Sequence, residues 1–212
     1  MVGTPRVAQV FGGSAPVILN RGGGNTTVGY IEDTSNRATS LDFTATLWQF
    51  PVNVSTEVTD WTKSPSLVAP TSGPSMLMVW LASVGSQYRF STYSGAVWAP
   101  AANITNALSF DPAALLPLAG GEVLMAFRGT DGKAYVASYL AGSWGLPSLV
   151  AGGVTIVGPP ALAKGQGGMV AELAYVGTDG AAYHVRLAAS RTWTAPVQVA
   201  TSVDFVSIAS GP

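Results

Sequence analysis

The residues able to do covalent or acid–base chemistry are few in this chain. It holds one histidine, His184, and no cysteine. Thiolate catalysis, disulfides and cysteine-based metal sites are therefore excluded together. His184 lies between Tyr183 and Val185 in an expected strand, with no nucleophile in view. A histidine so placed reads as a surface or packing residue rather than a catalytic base. The glutamates Glu32, Glu57, Glu122 and Glu172 share no common position in the pattern described below. Glycoside hydrolysis needs two carboxylates flanking one bond, and the sequence places no such pair. Asp131 and Asp179 each offer one carboxylate in an Asp-Gly turn, whereas calcium takes about six to eight oxygens. Arg21-Gly22-Gly23-Gly24 is glycine-rich but lacks the Lys-Ser/Thr ending of a phosphate loop. No catalytic residue, metal or cofactor is expected.

The aromatic residues offer a different chemistry. Sugars present C–H faces that lie flat on rings and hydroxyls that need placed hydrogen-bond partners, and Trp and Tyr supply apolar area with a polar handle. The candidates for ligand contact are Tyr88, Trp98, Tyr135, Trp144, Tyr183, His184 and Trp193. The competing reading is that aromatics at fixed intervals are core. Both readings stand at this point.

The intervals come from internal repetition. A proline opens an apolar stretch at Pro16, Pro65, Pro112 and Pro160, spaced by 49, 47 and 48 residues. Each is followed 23 residues later by Thr39, Tyr88, Tyr135 or Tyr183. A tryptophan then recurs at Trp48, Trp98, Trp144 and Trp193, with a proline close behind at Pro51, Pro100, Pro147 and Pro196. The repeats run approximately 16–64, 65–111, 112–159 and 160–212, the first being the most divergent.

A unit of this length has room for four short strands. In the third unit these are expected at Ala113–Leu118, Val123–Arg128, Ala134–Leu140 and Trp144–Val150. Asp131-Gly132 and Asp179-Gly180 are strong hairpin signals, with matching turns at Asp33–Asn36 and Ala82–Gly85. Four antiparallel strands per repeat point to an all-β fold, a β-propeller of about four blades in one domain. The recurrent tryptophan is expected between blades or on the outer strand. Trp80 stands eight residues before Tyr88, and Ile31, Phe127 and Tyr175 hold the same offset before Thr39, Tyr135 and Tyr183, as core would. Trp61 has no counterpart in the other units.

Pro5, in Thr4-Pro5-Arg6, resembles the proline after each tryptophan, so residues 1–15 read as the tail of a preceding unit or a ring-closing strand. The four blades then close on themselves, or another chain, such as a second copy, completes the ring, or the chain is a fragment.

Composition agrees with a folded β-protein. Of 212 residues, 48% are hydrophobic and 10% charged, the reverse of a disordered balance. A net charge of −1 with scattered Lys and Arg leaves no footprint for nucleic acid. No apolar run is long enough for a membrane-spanning helix, so no membrane insertion is expected. The N-terminus shows no signal peptide. Sequons at Asn25, Asn53 and Asn103 matter only in a glycosylating pathway.

Units three and four read Gly-Thr-Asp-Gly-x-Ala-Tyr, a strand, then Trp-x-x-Pro. This resembles the blades of bacterial β-propeller lectins of the fucose-binding type from insect-pathogenic bacteria. The resemblance implies non-catalytic binding of glycans, often fucosylated, in clefts between neighbouring blades, and a secreted or cell-surface setting. The Ser-x-Asp-x-Gly-x-Thr-Trp box of sialidase-like propellers is absent. The alternative function is a structural or protein-interaction propeller in a larger assembly, since surfaces so poor in charge are often covered by partners.

Overall fold

The computed structural model describes residues 14–32, 35–44, 47–60 and 62–209. The tail around Pro5, Trp61 and the first half of the Asp33–Asn36 turn lie outside them. The described strands form four antiparallel sheets, each from consecutive strands. The first contains β1 (Val17–Gly22), β2 (Asn25–Glu32), β3 (Arg37–Thr44), β4 (Leu47–Trp48) and β5 (Val52–Asn53). The second contains β6 (Ser66–Val68), β7 (Met76–Leu81), β8 (Gln87–Tyr93) and β9 (Ala102–Leu108). The third contains β10 (Ala114–Pro117), β11 (Val123–Arg128), β12 (Ala134–Leu140), β13 (Ser143–Trp144) and β14 (Ser148–Leu149). The fourth contains β15 (Ile156–Lys164), β16 (Ala171–Gly177), β17 (Ala182–Leu187) and β18 (Val197–Ala200). This is the all-β blade architecture expected from the repeats.

The Trp-Pro pair explains the outer edge of every sheet. Each tryptophan begins the fourth strand by pairing with the end of the third: Phe43↔Trp48, Tyr93↔Trp98, Tyr139↔Trp144 and Leu187↔Trp193. In three of these the facing rings pack at a tilt, with centroids 5.1, 5.2 and 5.5 Å apart. The proline that follows has no N–H to donate, so the ladder is interrupted. Pairing resumes further on, which is why β4 and β5, like β13 and β14, are two pieces of one outer strand. The fourth sheet also departs from the expected start at Pro160, because β15 opens at Ile156. Pro159 and Pro160 fall where the register with β16 shifts, as prolines in a strand require.

Register corrects the repeat alignment at two places. The second and third strands pair as Tyr30↔Thr39, Trp80↔Arg89, Phe127↔Tyr135 and Tyr175↔Tyr183. The aligned row on the third strand is therefore Thr39, Arg89, Tyr135 and Tyr183, with Arg89 in place of Tyr88. The aromatic row on the second strand likewise takes Tyr30 in place of Ile31. The cause is the hairpin. Gly129 N–H closes on Lys133 O, and Gly177 N–H on Ala181 O, whereas Ala82 N–H closes on Gln87 O, one residue further along. A one-residue slip turns a strand residue to the opposite face of its sheet.

The sheets pack in sequence order through their first strands, β1 on β6, β6 on β10 and β10 on β15. Three apolar clusters fill the spaces between them. Ile31, Val54, Met78 and Trp80 lie between the first and second sheets. Leu77, Val79, Tyr88, Met125 and Phe127 lie between the second and third. Leu124, Ile156, Leu173, Tyr175 and Val185 lie between the third and fourth. Hydrogen bonds tie the first strands together, Ser66 Oγ to Ala113 O at 2.5 Å and Thr71 Oγ1 to Leu118 O at 2.7 Å. Arg191 clamps the last pair of sheets through a forked ion pair with the buried Glu122.

Tyr88 is a member of this core, 1% exposed, packed edge-on against Phe127 at 5.3 Å. Its hydroxyl donates to the Asp111 carbonyl, and burial drives its phenol far above the ordinary value. Tyr88→Phe should lower the unfolding free energy by about 1 kcal/mol in urea titrations, the worth of one buried hydrogen bond. Sugar titrations of the same variant should match the parent protein, since the phenol is out of a ligand's reach.

Candidate functional site

Clefts lie between the first and second sheets, bounded by the end of one outer strand and the next sheet's tryptophan–proline stretch, and between the third and fourth, bounded by the next sheet's hairpin. Of the row on the third strands, Arg89 pairs with Glu57 at the first of these clefts and Tyr183 lines the second, while Thr39 is fully buried.

The cleft between the first and second sheets has a volume of about 550 Å³. Val52–Glu57 form one wall, and Ala96–Ala101, with Trp98, form the other. Trp98 is half-buried, and its ring N–H donates to Ser40 Oγ at 2.9 Å across the sheet boundary. Arg89 reaches in from β8 and forks onto Glu57, with Nη2 at 2.8 Å from Oε1 and Nη1 against Oε2. Its Nη2 also reaches the Ala101 carbonyl at 3.4 Å. The Ser55 hydroxyl accepts from the Glu57 backbone N–H at 3.0 Å. The result is a charged donor–acceptor pair beside a ring with an accessible face. Such a pair can give hydrogen bonds from the guanidinium and accept them at the carboxylate.

The cleft between the third and fourth sheets has a volume of about 440 Å³, lined by Val154, Thr155, Tyr175, Asp179, Tyr183 and Pro196 among others. Here the Gly-Thr-Asp-Gly motif acquires a physical meaning. Tyr183 stacks on Tyr175 at 5.4 Å, nearly parallel, and its hydroxyl donates to Asp179 Oδ2 at 2.6 Å. Asp179 Oδ1 accepts from Ala181 N–H at 3.1 Å, which pins the turn. A Cβ on Gly177 would stand 2.9 Å from the Tyr183 ring, so only glycine lets the ring lie over the backbone. Gly180 takes a positive φ of 75°. The third sheet repeats every part: Tyr135 stacks on Phe127 at 5.7 Å, its hydroxyl meets Asp131 Oδ2 at 3.0 Å, and Lys133 N–H meets Oδ1 at 3.0 Å.

The other aromatic candidates sit apart from these groups. Trp144 packs between sheets against Tyr139 and Phe90, at 5.5 and 6.1 Å, with its ring N–H buried and without a partner. Trp193 is half-buried against the cluster between the third and fourth sheets. Tyr88 is enclosed, as described. His184 follows Tyr183 in β17 and so faces the other side of the sheet, where Nε2 lies 3.2 Å from Glu172 Oε2. It is not a cleft residue. Arg89, Glu57 and Asp179 are the polar groups absent from the sequence-based candidates. A hairpin one residue longer in the second unit is the signal that would have moved attention from Tyr88 to Arg89. Among the described residues no cluster of three His, Cys, Asp or Glu could hold a metal, and no helix is long and apolar enough to cross a membrane.

The Asp179–Tyr183 pair is testable by titration. The Tyr183 hydroxyl and then the Ala181 N–H hold the Asp179 carboxyl below its ordinary 3.8. A group lowered on folding stabilises the native state above its unfolded pKa, and that contribution is lost as pH falls through the lowered folded value. Carboxyl-carbon NMR should place the Asp179 midpoint below 3.8, and Tyr183→Phe should return it towards that value.

No protein-family model matches the chain, and no curated protein matches it in sequence. Solved structures do. The BP39L lectin from Burkholderia pseudomallei superposes with a TM-score of 0.72 at 16% identity, over 88% of this chain and 56% of that one. A mutant Aleuria aurantia lectin in complex with alpha-methyl-L-fucoside gives 0.57 at 15% identity, over 92% and 66%. A Hadza microbial sialidase gives 0.58 at 13% identity, over 88% and 46%. The chain spans roughly half to two-thirds of the length of these structures. It shares the β-propeller fold of these lectins.

Proposed function

We propose that this propeller binds carbohydrate without transforming it, at the clefts between its sheets. The observation that carries the reading is the Arg89–Glu57 ion pair beside the partly buried Trp98 in the first cleft. A sugar hydroxyl needs a donor and an acceptor held in fixed geometry, and its C–H face needs a ring; this cleft offers all three. The likeness to propellers whose printed names include fucose-specific and BP39L lectins supports the same reading. The first cleft is the principal site, with Arg89 and Glu57 on the hydroxyls and Trp98 beneath the ring. Tyr135 and Tyr183, with their aspartates, supply weaker sites, and Trp144 and Trp193 act as packing residues. Several weak sites on one rigid scaffold would convert modest affinity into avidity on a glycan-coated surface, in keeping with a secreted or cell-surface protein.

A second reading rests on the first sheet. Leu47, Trp48, Phe50 and Val52 are 60, 45, 90 and 50% exposed. Side chains of this size grouped at one edge mark contact surfaces. This reading takes the chain as an interaction propeller, with a second copy completing the ring as one form of partner.

A glycan array with the labelled protein, followed by calorimetry on the hits, separates the two. Methyl α-L-fucoside serves as the first soluble probe. Binding to a narrow sugar class is expected, and Glu57→Gln or Arg89→Ala should weaken it about tenfold, since each removes one member of the charged donor–acceptor pair that would hold the sugar hydroxyls. A blank array from folded, self-associating protein would sink the carbohydrate reading and leave the interaction propeller.

A further inference from the structure

The two Gly-Thr-Asp-Gly turns are built alike and differ in one functional group. In the third sheet the turn continues with Lys133, whose Nζ lies 3.9 Å from Asp131 Oδ2. That carboxylate, beside the Tyr135 hydroxyl, carries the protein's own ammonium. In the fourth sheet the matching residue is Ala181. Asp179 keeps its bonds to Tyr183 and to Ala181 N–H. Among the described residues it has no ion pair, and it stands at the rim of a cleft of about 440 Å³. The third sheet thus displays, in the same molecule, the geometry of an ammonium on this carboxylate–tyrosine platform, and the fourth displays the platform open to solvent.

We propose that the cleft between the third and fourth sheets binds the protonated amine of an amino sugar, with the ammonium on Asp179 and the sugar ring against Tyr183. An ionised carboxylate accepts only, so its remaining lone pairs call for a donor. A cation also gains from the face of a neighbouring aromatic ring, which Tyr183 supplies on the side away from the buried Tyr175 it stacks on. Thr155 and Thr178 line the same cleft and offer hydroxyls to those of a sugar. That combination favours a cationic sugar over a bare lysine side chain, which would leave the hydroxyls and much of the cleft unfilled. The inference rests on the carbohydrate reading of these clefts but concerns a different cleft from the principal one.

The test is an amide NMR titration of the full chain at about pH 6, where an ordinary amine is charged. The probes are D-glucosamine, N-acetylglucosamine, glucose and Nα-acetyl-lysine amide. Glucosamine should shift the amides of Thr155, Asp179 and Ala181 at about tenfold lower concentration than its N-acetylated form, the combined effect of an exposed ion pair and a cation–π contact. Asp179→Asn keeps an oxygen for the turn and should abolish that preference. Ala181→Lys, which recreates the sequence of the third-sheet turn, should do the same by seating a tethered ammonium on Asp179. Arg89→Ala should leave it intact. Equal response to all three sugars, tighter binding of the lysine amide, or silence at these amides would overturn the proposal. If neutral sugars shift the Glu57–Trp98 cleft while the Asp179 cleft stays silent, the carbohydrate reading survives without this inference. If no sugar shifts either cleft, both fall.

Discussion

The stacking of one sheet on the next through a single row of aromatic side chains is the contact on which the structure depends. Tyr30, Trp80, Phe127 and Tyr175 occupy equivalent positions on the second strands, and none is more than 4% exposed. An isolated four-stranded sheet exposes an apolar face, and its flat side chains have nothing to bury against. Stacked in series, each sheet covers the aromatic of the next, and apolar burial becomes the glue of the array. The cost of disruption is accordingly concentrated there. Residues such as Leu77, Met125 and Leu173 are fully enclosed between sheets, where truncation to alanine typically costs about 2–5 kcal/mol.

The openings between sheets exist because this packing stops short of the sheet edges. The outer strand is interrupted by proline in every sheet, so neighbouring outer strands do not close against each other. The openings that remain are the clefts. The position directly across from the buried aromatic varies as Thr39, Arg89, Tyr135 and Tyr183, and it brings Arg89 to Glu57 at one cleft and Tyr183 into the lining of the other. One row is held by packing, whereas in the row opposite Arg89, Tyr135 and Tyr183 are partly exposed and only Thr39 is buried. The scaffold can therefore hold an ion pair in one cleft and a tyrosine–aspartate pair in another without altering the fold.

Much of this was legible in the residues. The spacing of the prolines and tryptophans led to four antiparallel sheets because each marks a backbone event, a strand opening or a ladder break, that repeats with the fold. Val123–Arg128 and Ala134–Leu140 were readable as strands because Asp131-Gly132 fixes the turn between them. The site was less legible. Tyr88 holds the same distance from its proline as Tyr135 and Tyr183 do, yet the longer closure from Ala82 to Gln87 turns it into the core and puts Arg89 in the cleft. Counting along the chain cannot register that slip, since the extra turn residue is absorbed elsewhere in the repeat. Glu57 was set aside for lacking repeat partners, which is what a residue unique to one cleft would look like.

The same reasoning bears on why the tyrosine–aspartate pair occurs twice. In both turns the aspartate has two oxygens with separate tasks, one accepting from the backbone two residues on and the other from the tyrosine hydroxyl. The ring is thereby tethered at its far end and stacked along its face, while the glycine beneath it admits the close approach. A ring fixed in this way loses little freedom when a ligand arrives, and less entropy opposes binding. The motif is structural in its hydrogen bonds, and what it leaves exposed is what the proposed binding would use. Core packing and exposure coexist in Tyr135 and Tyr183, because one face of each ring stacks inward and the rest is partly exposed, in Tyr183 towards the cleft. For Tyr88 the enclosed face is the whole ring, and the alternative resolves to core.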